Sequence, residues 1–287
     1  MPPSIHPPTV ATSEEKTIMS DTLIERFDGV VKVTFNRPDK KNALTAENWL
    51  DLDRVIDEVA KNPADRALVL TGAGGCFSAG ADLAGGLDSE TNGKRPGLTG
   101  REQQSILHEM RIVNDIISRL QRLPKPTMAV VDGVAMGVAL GLALACDLIL
   151  ASDRARFSEV FVKRGLALDG GTSWSLPRAI GVRRAKQMAF FGDMVDAETA
   201  LSWGLVNEIV RADELQTEGD RWARRLASSP TTAVSLIKRL IDNGPHTNFD
   251  QSLEDEARSQ QIAFTTHDMR EGIAAFLGRR DPVFTGV

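Results

Sequence analysis

The sequence predicts an α/β protein built from strand–strand–helix units, followed by a region that is entirely helical. Three observations lead to this prediction. A hairpin pattern is followed by an amphipathic helix and another strand, a glycine-interrupted apolar run fills residues 128–151, and only helical patterns remain beyond residue 212. Strands that alternate with helices are typical of α/β folds, in which both element types share one core.

Length and composition predict one domain with a terminal appendage. The chain has 287 residues, enough to bury a sizeable core. Residues 1–20 are rich in Pro, Ser and Thr, show no secretory signal, and are predicted to be a disordered tail. We therefore expect a ββα core over residues 21–211 and a helical region over residues 212–287.

Charge, cysteine and histidine content exclude several classes of function. The net charge is −5 without a basic block, so no nucleic-acid partner is expected. Cys76 and Cys146 lie in apolar motifs, which predicts buried free thiols in a reducing cytoplasm. The four histidines are scattered without metal-ligand spacing, so no metal site is predicted.

The first predicted unit is a hairpin, a helix and a strand. Strand patterns at residues 23–27 and 30–35 flank Asp28-Gly29, which is a strong hairpin signal. Thr45 can cap a helix that has Glu47 in its first turn and apolar residues along one face. Residues 66–71 then return as a strand.

A glycine-rich stretch and a loop follow that strand. In residues 72–83 (GAGGCFSAGADL), small residues let a ligand approach the backbone closely, and neither common nucleotide-binding glycine motif is present. Residues 84–101 contain five glycines and are predicted to be a loop, either a lid or plainly disordered. Apolar spacing then predicts a helix from Ile106 to Leu120, which Pro124 and Pro126 end.

The run at residues 128–151 is the most apolar stretch of the chain. A membrane helix is not expected, because the uncharged part between Asp132 and Asp147 is shorter than the roughly 20 residues that a bilayer needs. We predict a strand over residues 127–131, a turn, a buried helix over residues 138–145, and a strand from residue 147. A buried helix that starts after Gly137 directs unpaired N–H groups at whatever lies there.

The remaining elements follow from caps and periodicity. We predict a strand at residues 155–157, a helix-to-loop segment at 161–171 and one helix over 178–192. Asp196 caps a short helix that Gly204 ends, and a last strand covers residues 206–210. The C-terminal helices are expected at about residues 212–228, 230–242, 249–265 and 268–278.

Five ordered motifs make the chain resemble the crotonase superfamily of enoyl-CoA hydratases and isomerases. They are FNRPDKKNALT at residues 35–45, CFSAGADL at 76–83, DGVAMGVALGLALACDLILAS at 132–152, GLALDGGTSWSLPRAIG at 165–181 and REGIAAFLGRRDPVF at 270–284. The resemblance covers residues 21–287. It implies a crotonase-type spiral of ββα repeats, with C-terminal helices that build a homotrimer or a dimer of trimers.

The resemblance also implies an oxyanion hole for a thioester carbonyl, formed by the N–H groups of Ala81 and Val138. These are the same two places that the glycine-rich turn and the buried helix start indicate. The carboxylates that the hydratase pattern uses are replaced here by Gly141 and Phe161. Because neither residue can transfer a proton, hydration by the usual mechanism is not expected.

Asp169 is the candidate catalytic acid. Isomerases of the family, and a related dehalogenase, carry a working Asp at this position. The alternative is that Asp169 only caps the turn before Gly170-Gly171. Apolar neighbours favour a raised pKa, which suits a general base. Glu159 is a reserve base whose expected role is a solvated charge at a strand end.

The resemblance suggests further residues that contact an acyl-CoA substrate. Lys40 and Lys41 match a basic contact for coenzyme A, while the tail residues Phe264 and Arg279 match positions that reach a neighbouring subunit's nucleotide. The other predicted contacts, in the turn and the acyl pocket, are Ala79, Asp82, Met136, Phe161 and Trp174. No cofactor is expected beyond the coenzyme A of the substrate itself.

Three functions remain open at this point. The favoured one is a shift of the double bond of a 3-enoyl-CoA to give 2-enoyl-CoA. A hydratase that uses Asp169 or Glu159 as a non-standard acid, and a non-catalytic acyl-CoA-binding relative, are the alternatives. A serine hydrolase is not favoured, because Ser173 and Ser175 have no histidine near them in the sequence.

Overall fold

The computed structural model describes residues 15–19, 21–83 and 106–287. Its large sheet has seven strands in the order β1-β2-β3-β4-β5-β7-β10, and a smaller sheet has the order β6-β8-β9. The strands are β1 Glu15–Met19, β2 Thr22–Phe27, β3 Val30–Phe35, β4 Ala67–Gly72, β5 Thr127–Val131, β6 Val134–Met136, β7 Leu148–Ser152, β8 Arg156–Ser158, β9 Val195–Asp196 and β10 Glu208–Val210. The predicted loop at residues 84–101 lies outside the described residues.

Helices alternate with these strands and then continue to the end of the chain. They are α1 Ala46–Lys61, α2 Ile106–Gln121, α3 Val138–Ala145, α4 Thr172–Ile180, α5 Val182–Phe191, α6 Ala197–Trp203, α7 Leu215–Ala227, α8 Thr231–Asn243, α9 Phe249–Ala263 and α10 His267–Gly278. The predicted α/β class with a helical C-terminal region is therefore confirmed.

The first unit forms as its local sequence predicts. Strands β2 and β3 pair antiparallel around Asp28 and Gly29, whose φ angles of 48° and 77° suit a tight hairpin turn. Thr45 caps α1, because its side chain accepts a hydrogen bond from the Asn48 N–H and the Asn48 side chain accepts one from the Thr45 N–H. The helix then buries an apolar face that includes Leu52, Val55 and Val59.

Parallel pairing places the functional loops at one edge of the large sheet. Strands β3, β4, β5, β7 and β10 pair in parallel, so the segments that follow them leave the same edge. The glycine-rich turn follows β4, and the segment that enters α3 follows β5. In α3 every residue except Leu144 is buried, which confirms the predicted helix that is apolar all round.

Two predictions of local structure are wrong. Residues 178–192 do not form one helix: Gly181, with φ 81° and ψ 151°, ends α4 and precedes α5, because this conformation is outside the helical region. Residues 15–19, assigned to a disordered tail, form β1 instead and pair antiparallel with β2. The rest of that tail lies outside the part of the chain that the structure describes.

The C-terminal helical region is attached to the sheet at both of its ends. Helix α7 packs against the sheet through Leu215, Ala223 and Ala227, in a cluster with strand residues such as Val69. At the chain end, Asp268 accepts hydrogen bonds from the N–H groups of Thr285 and Gly286. Arg66, which precedes β4, donates to the carbonyl oxygen atoms of Phe284 and Ser229. These contacts link the last residues of the chain to the core.

Candidate active site

The glycine-rich turn and the start of α3 lie side by side. Ser78 donates its N–H to the carbonyl oxygen of Val134 at 2.9 Å, and Met136 donates to the carbonyl oxygen of Ser78 at 3.1 Å. Gly80 has φ +94°, and a Cβ atom there would lie 2.8 Å from the Met136 carbonyl oxygen. Only glycine therefore lets the turn approach β6 so closely.

This arrangement leaves two backbone donors without acceptors. Leu44 donates to the Gly80 carbonyl and accepts from the Asp82 N–H, so in this parallel bridge the N–H of Ala81 points away from Leu44. Val138 is the first residue of α3, where an N–H has no partner inside the helix. Among the residues described, neither N–H has a hydrogen-bond acceptor.

Asp169 lies near the start of α3, between a 3-10 turn at Val160–Arg164 and α4. Its neighbour Gly170 packs against Val138: a Cβ atom on Gly170 would lie 3.5 Å from the Val138 Cα. Asp169 lines a cavity of about 330 Å³. Apolar groups around this cavity include Ile117, Leu144, Leu168 and Trp174.

The carboxylate of Asp169 is not used as a helix cap. Helix α4 is preceded by Gly171, and no described side chain caps it. Thr172 donates its N–H and its hydroxyl to the backbone carbonyl of Asp169, not to its carboxylate. The buried Oδ1 atom of Asp169 has no hydrogen-bond partner within the described residues. Burial raises the pKa of Asp169 to about 6.

The structure explains why position 141 is a glycine and not a residue with a carboxylate side chain. A Cβ atom on Gly141 would lie 2.6 Å from the carbonyl oxygen of Gly170, so no side chain fits unless the backbone moves. Phe161, at the other position where the hydratase pattern has a carboxylate, is buried with 8% exposure. Its ring contacts Gly137, at 3.4 Å from the place where a Cβ atom would be. Both positions therefore contribute packing close to the start of α3.

The prediction that Glu159 is a solvated charge is wrong. Its side chain is fully buried, with 0% exposure, and neither carboxyl oxygen has a partner among residues that the structure describes. Burial, together with the negative charge of Asp169, raises the pKa of Glu159 to about 9. Phe157 and Phe161, two residues away on either side, are also buried. The apolar residues on either side were the one sign in the sequence that Glu159 lies inside the protein.

Replacing Glu159 with Gln is expected to stabilise the fold at neutral and alkaline pH. An unfolded Glu has a pKa of about 4.3, whereas burial raises the pKa of Glu159 to about 9. The folded state therefore holds a proton that the unfolded state releases, and the stability of the wild type falls as the pH rises between these values. The expected gain for the Gln variant is on the order of 3–4 kcal/mol at pH 7.

Thermal unfolding midpoints of both proteins between pH 4 and pH 9 test this prediction. The difference should be close to zero at pH 4 and should grow as the pH rises. Glu256→Gln, at an exposed position on α9, is the matched control and should show no such trend. An equal gain at pH 4 and pH 8 would contradict the expectation.

The predicted contacts in the glycine-rich turn have mixed outcomes. Lys40 and Lys41 are exposed, and the carbonyl of Lys41 accepts the N–H of Ala79 at 2.9 Å, which fixes the basic loop beside the turn. Asp82 forms an ion pair with Arg37 at 2.8 Å, so its carboxylate stabilises the turn. Asn42 is buried and donates to the carbonyl oxygen atoms of Ala73 and Cys76.

The other predicted substrate contacts are spread over the rest of the chain, from the end of β6 to the residue after α10. Met136 is half-buried where β6 leads into α3, and Trp174 lines the Asp169 cavity while its ring stacks on His246 at 5.9 Å. Phe264 follows α9, Arg279 follows α10, and both are exposed. Neither of these two lines the Asp169 cavity. A single chain therefore does not bring the tail contacts to this cavity.

The described residues contain neither a metal-binding cluster nor a membrane-spanning helix. Within them, no three His, Cys, Asp or Glu side chains are grouped to hold a metal ion. No helix in the same residues is both long and apolar enough to cross a bilayer. Burial raises the pKa of the Cys146 thiol to about 12, so this cysteine is an unreactive core residue.

Comparisons with known proteins identify the family of this chain. A sequence model described as Enoyl-CoA hydratase/isomerase matches residues 25–287. The 1,2-epoxyphenylacetyl-CoA isomerase of Escherichia coli (strain K12) is 36% identical over 258 residues, covering 90% of this chain and 95% of that protein. The short-chain-enoyl-CoA hydratase of Clostridium acetobutylicum is 32% identical over 264 residues, covering 91% of this chain and 96% of that protein.

A solved structure shows the same fold. The enoyl-CoA hydratase from Bacillus anthracis matches with a TM-score of 0.81 and 28% identity, covering 96% of this chain and 99% of that chain. The crotonase-type fold predicted from the five motifs is therefore confirmed. Similarity over nearly the whole length, to proteins named both isomerase and hydratase, shows that the chain belongs to the enoyl-CoA hydratase/isomerase family.

Proposed function

We propose that this protein isomerises acyl-CoA substrates by shifting the double bond of a 3-enoyl-CoA to give 2-enoyl-CoA. One observation carries the proposal: within the described part of the chain, Asp169 is the one carboxylate that lines the cavity next to the first turns of α3. The positions that carry carboxylates in the hydratase pattern are Gly141 and Phe161. A one-base proton shift needs no more than this set of groups.

The chemistry follows from the two kinds of group. Asp169 takes the proton from the carbon next to the thioester, and the electron pair of that C–H bond moves toward the carbonyl oxygen. The N–H groups of Ala81 and Val138 stabilise the negative oxygen that develops, as oxyanion donors do. Asp169 then returns the proton to the carbon at the far end of the allylic system. The substrate gains and loses no atoms.

Substrate contacts and assembly complete the proposal. Lys40 and Lys41 are proposed to bind the phosphates of coenzyme A, because their exposed ammonium groups can form charge-assisted hydrogen bonds to phosphate oxygens. We propose that the exposed apolar residues Phe249, Phe276 and Leu277 pack against other copies in a homotrimer or a dimer of trimers, because large exposed apolar groups favour association. Phe264 and Arg279 then act at a neighbouring site. No further cofactor is required.

Activity is expected to fall when the pH drops below about 6. Asp169 must be ionised to accept a proton, and burial raises its pKa to about 6 from an ordinary value near 3.9. Below this pKa, kcat/KM should decrease about tenfold per pH unit. The measurement is a pH profile of kcat/KM over a range in which circular dichroism shows folded protein. A flat profile down to pH 4.5 would contradict Asp169 as the base.

A second candidate function is hydration of 2-enoyl-CoA, and the buried Glu159 is the observation that favours it. Hydration in this family uses two carboxyl groups to handle one water molecule. Asp169 raises the pKa of Glu159 by its charge, so the two carboxyl groups are close enough to interact. The absence of an exposed surface on Glu159 disfavours direct contact with a water in the cavity, and isomerisation is therefore preferred.

The deciding experiment is an assay of the purified protein with matched 3-enoyl-CoA and 2-enoyl-CoA substrates. The product is followed by its absorbance and identified by its mass. Loss of the 3-enoyl substrate without a change in mass supports isomerisation. Gain of one water by the 2-enoyl substrate would contradict the first candidate and support the second. Binding without any reaction would favour a non-catalytic acyl-CoA-binding protein.

A further inference from the structure

Three buried carboxyl oxygen atoms lack hydrogen-bond partners in the same part of the molecule. They are both oxygens of Glu159 and Oδ1 of Asp169, and none has a partner among the residues described. Unpaired polar atoms in the interior are costly, so each one that a protein retains calls for an explanation. The proposed reaction uses Asp169 but leaves Glu159 without a role.

The two carboxyl groups flank the start of α3 from different segments. Glu159 directly follows Ser158, whose carbonyl accepts the N–H of Gly137 at 2.9 Å. Asp169 directly precedes Gly170, which packs against Val138. Gly137 and Val138 are consecutive residues. Ser158, the chain neighbour of Glu159, contacts Gly137, and Gly170, the chain neighbour of Asp169, contacts Val138. Burial and, next to it, the negative charge of Asp169 raise the pKa of Glu159, so the two carboxyl groups interact.

Cations on the neighbouring elements do not neutralise this pair. Lys163 of the adjacent 3-10 turn is paired with Asp193, and their side chains are 51% and 77% exposed. Arg178 of α4 is exposed and lies over the Trp174 ring. Arg156 and Arg164 are exposed as well. Helix α5, which packs against the same 3-10 turn, carries three further cations, Arg183, Arg184 and Lys186, and all three are exposed. Helix α3 carries no charged residue. Two negative charges in this interior would therefore repel each other without compensation.

We propose that Glu159 keeps a proton at neutral pH and donates it in a hydrogen bond to the buried Oδ1 of Asp169, so that the other oxygen of Asp169 acts as the base toward the cavity. This inference rests on the proposed role of Asp169. In it, Glu159 is a positioning residue that acts through Asp169. This hydrogen bond gives a partner to one carboxyl oxygen of Glu159 and to Oδ1 of Asp169, which are two of the three unpaired atoms.

The ionisation order of the pair agrees with this assignment. Burial raises the pKa of Asp169 to about 6, whereas burial and the charge of Asp169 raise the pKa of Glu159 to about 9. At pH 7 the pair therefore carries one negative charge, on Asp169. When Asp169 accepts the substrate proton, the pair becomes neutral and the charge resides on the substrate oxygen. Return of that proton to the substrate restores the starting state.

Infrared difference spectroscopy on the unliganded protein tests the pairing without any substrate. Wild type at pH 7 should show the carbonyl stretch of a buried neutral carboxylic acid, and this band should be absent from E159Q. The same band should change frequency in D169N, because its hydrogen-bond acceptor has changed. Absence of the band from wild type, or its persistence in E159Q, would overturn the inference. Because no turnover is measured, this result is independent of the proposed isomerase activity.

The pH profile of kcat/KM distinguishes a positioning role of Glu159 from a merely structural one. In E159Q the amide can still donate to Asp169, so the acidic limb of kcat/KM should remain where it is in wild type. In E159L the donor is lost, and the limb should move upward by about one pH unit. Loss of packing alone would lower activity without moving the limb. An unmoved limb in a folded E159L protein would contradict the positioning role.

Discussion

Replacing Asp169 with Asn is expected to lower kcat by about a thousandfold or more. The amide has nearly the same shape as the carboxylate but cannot accept a proton, and general-base catalysis typically contributes about 10²–10⁴-fold. Binding of acyl-CoA should persist, because the backbone donors and the basic loop are unchanged. Steady-state kinetics give kcat, and calorimetry with an unreactive acyl-CoA gives the affinity.

Asp193→Asn is the matched control for this variant. Asp193 is an exposed carboxylate paired with Lys163, so its replacement should leave kcat within about twofold of wild type. If D169N kept more than a tenth of wild-type turnover, Asp169 could not be the base, and Glu159 would become the candidate.

Replacing Gly80 with Ala is expected to lower kcat by about 10²–10³-fold. The added methyl group would lie 2.8 Å from the Met136 carbonyl oxygen, and the φ angle of +94° is unfavourable for Ala. The turn must therefore shift, and the N–H of the next residue, Ala81, moves with it. Loss of one oxyanion donor typically costs about 2.7–4 kcal/mol of transition-state stabilisation.

Gly165→Ala is the control that distinguishes the displacement of the Ala81 N–H from the general cost of placing Ala at a positive φ angle. Gly165 also has a positive φ, of +66°, but an added Cβ there meets nothing within 4 Å. Gly165→Ala should lose roughly 1 kcal/mol of stability from backbone strain alone. Gly80→Ala should lose more, because the contact with the Met136 carbonyl adds to the strain. Only Gly80→Ala should lose most of its turnover, and equal kcat values for the two variants would argue against the donor role of Ala81.

Much of the fold was predictable because its signals are local. The Asp28-Gly29 hairpin and the Thr45 cap depend on residues next to each other in the chain, and both formed as predicted. The buried helix α3 was predictable because it is apolar on all sides. The break at Gly181 was missed, because a glycine inside a helical pattern is often tolerated and its neighbours continue the pattern.

The candidate site was predictable only in part. The glycine-rich turn and the start of α3 were identified from small residues and an unpaired helix start, and they do lie side by side. Glu159 was misjudged, because a charged residue predicts exposure and the burial of Phe157 and Phe161 depends on tertiary packing. The ion pair between Asp82 and Arg37 joins residues far apart in sequence, so local patterns carry no sign of it.

The contact between Gly141 and Gly170 restricts how this protein could exchange one reaction for another. A carboxylate at position 141 needs a Cβ atom at 2.6 Å from the Gly170 carbonyl, so the loop that carries Asp169 would have to move outward. A single substitution that adds the hydratase carboxylate would therefore displace the base that the isomerase needs. Conversion between the two activities would require coordinated changes on α3 and on the loop, with an intermediate sequence that performs neither reaction well.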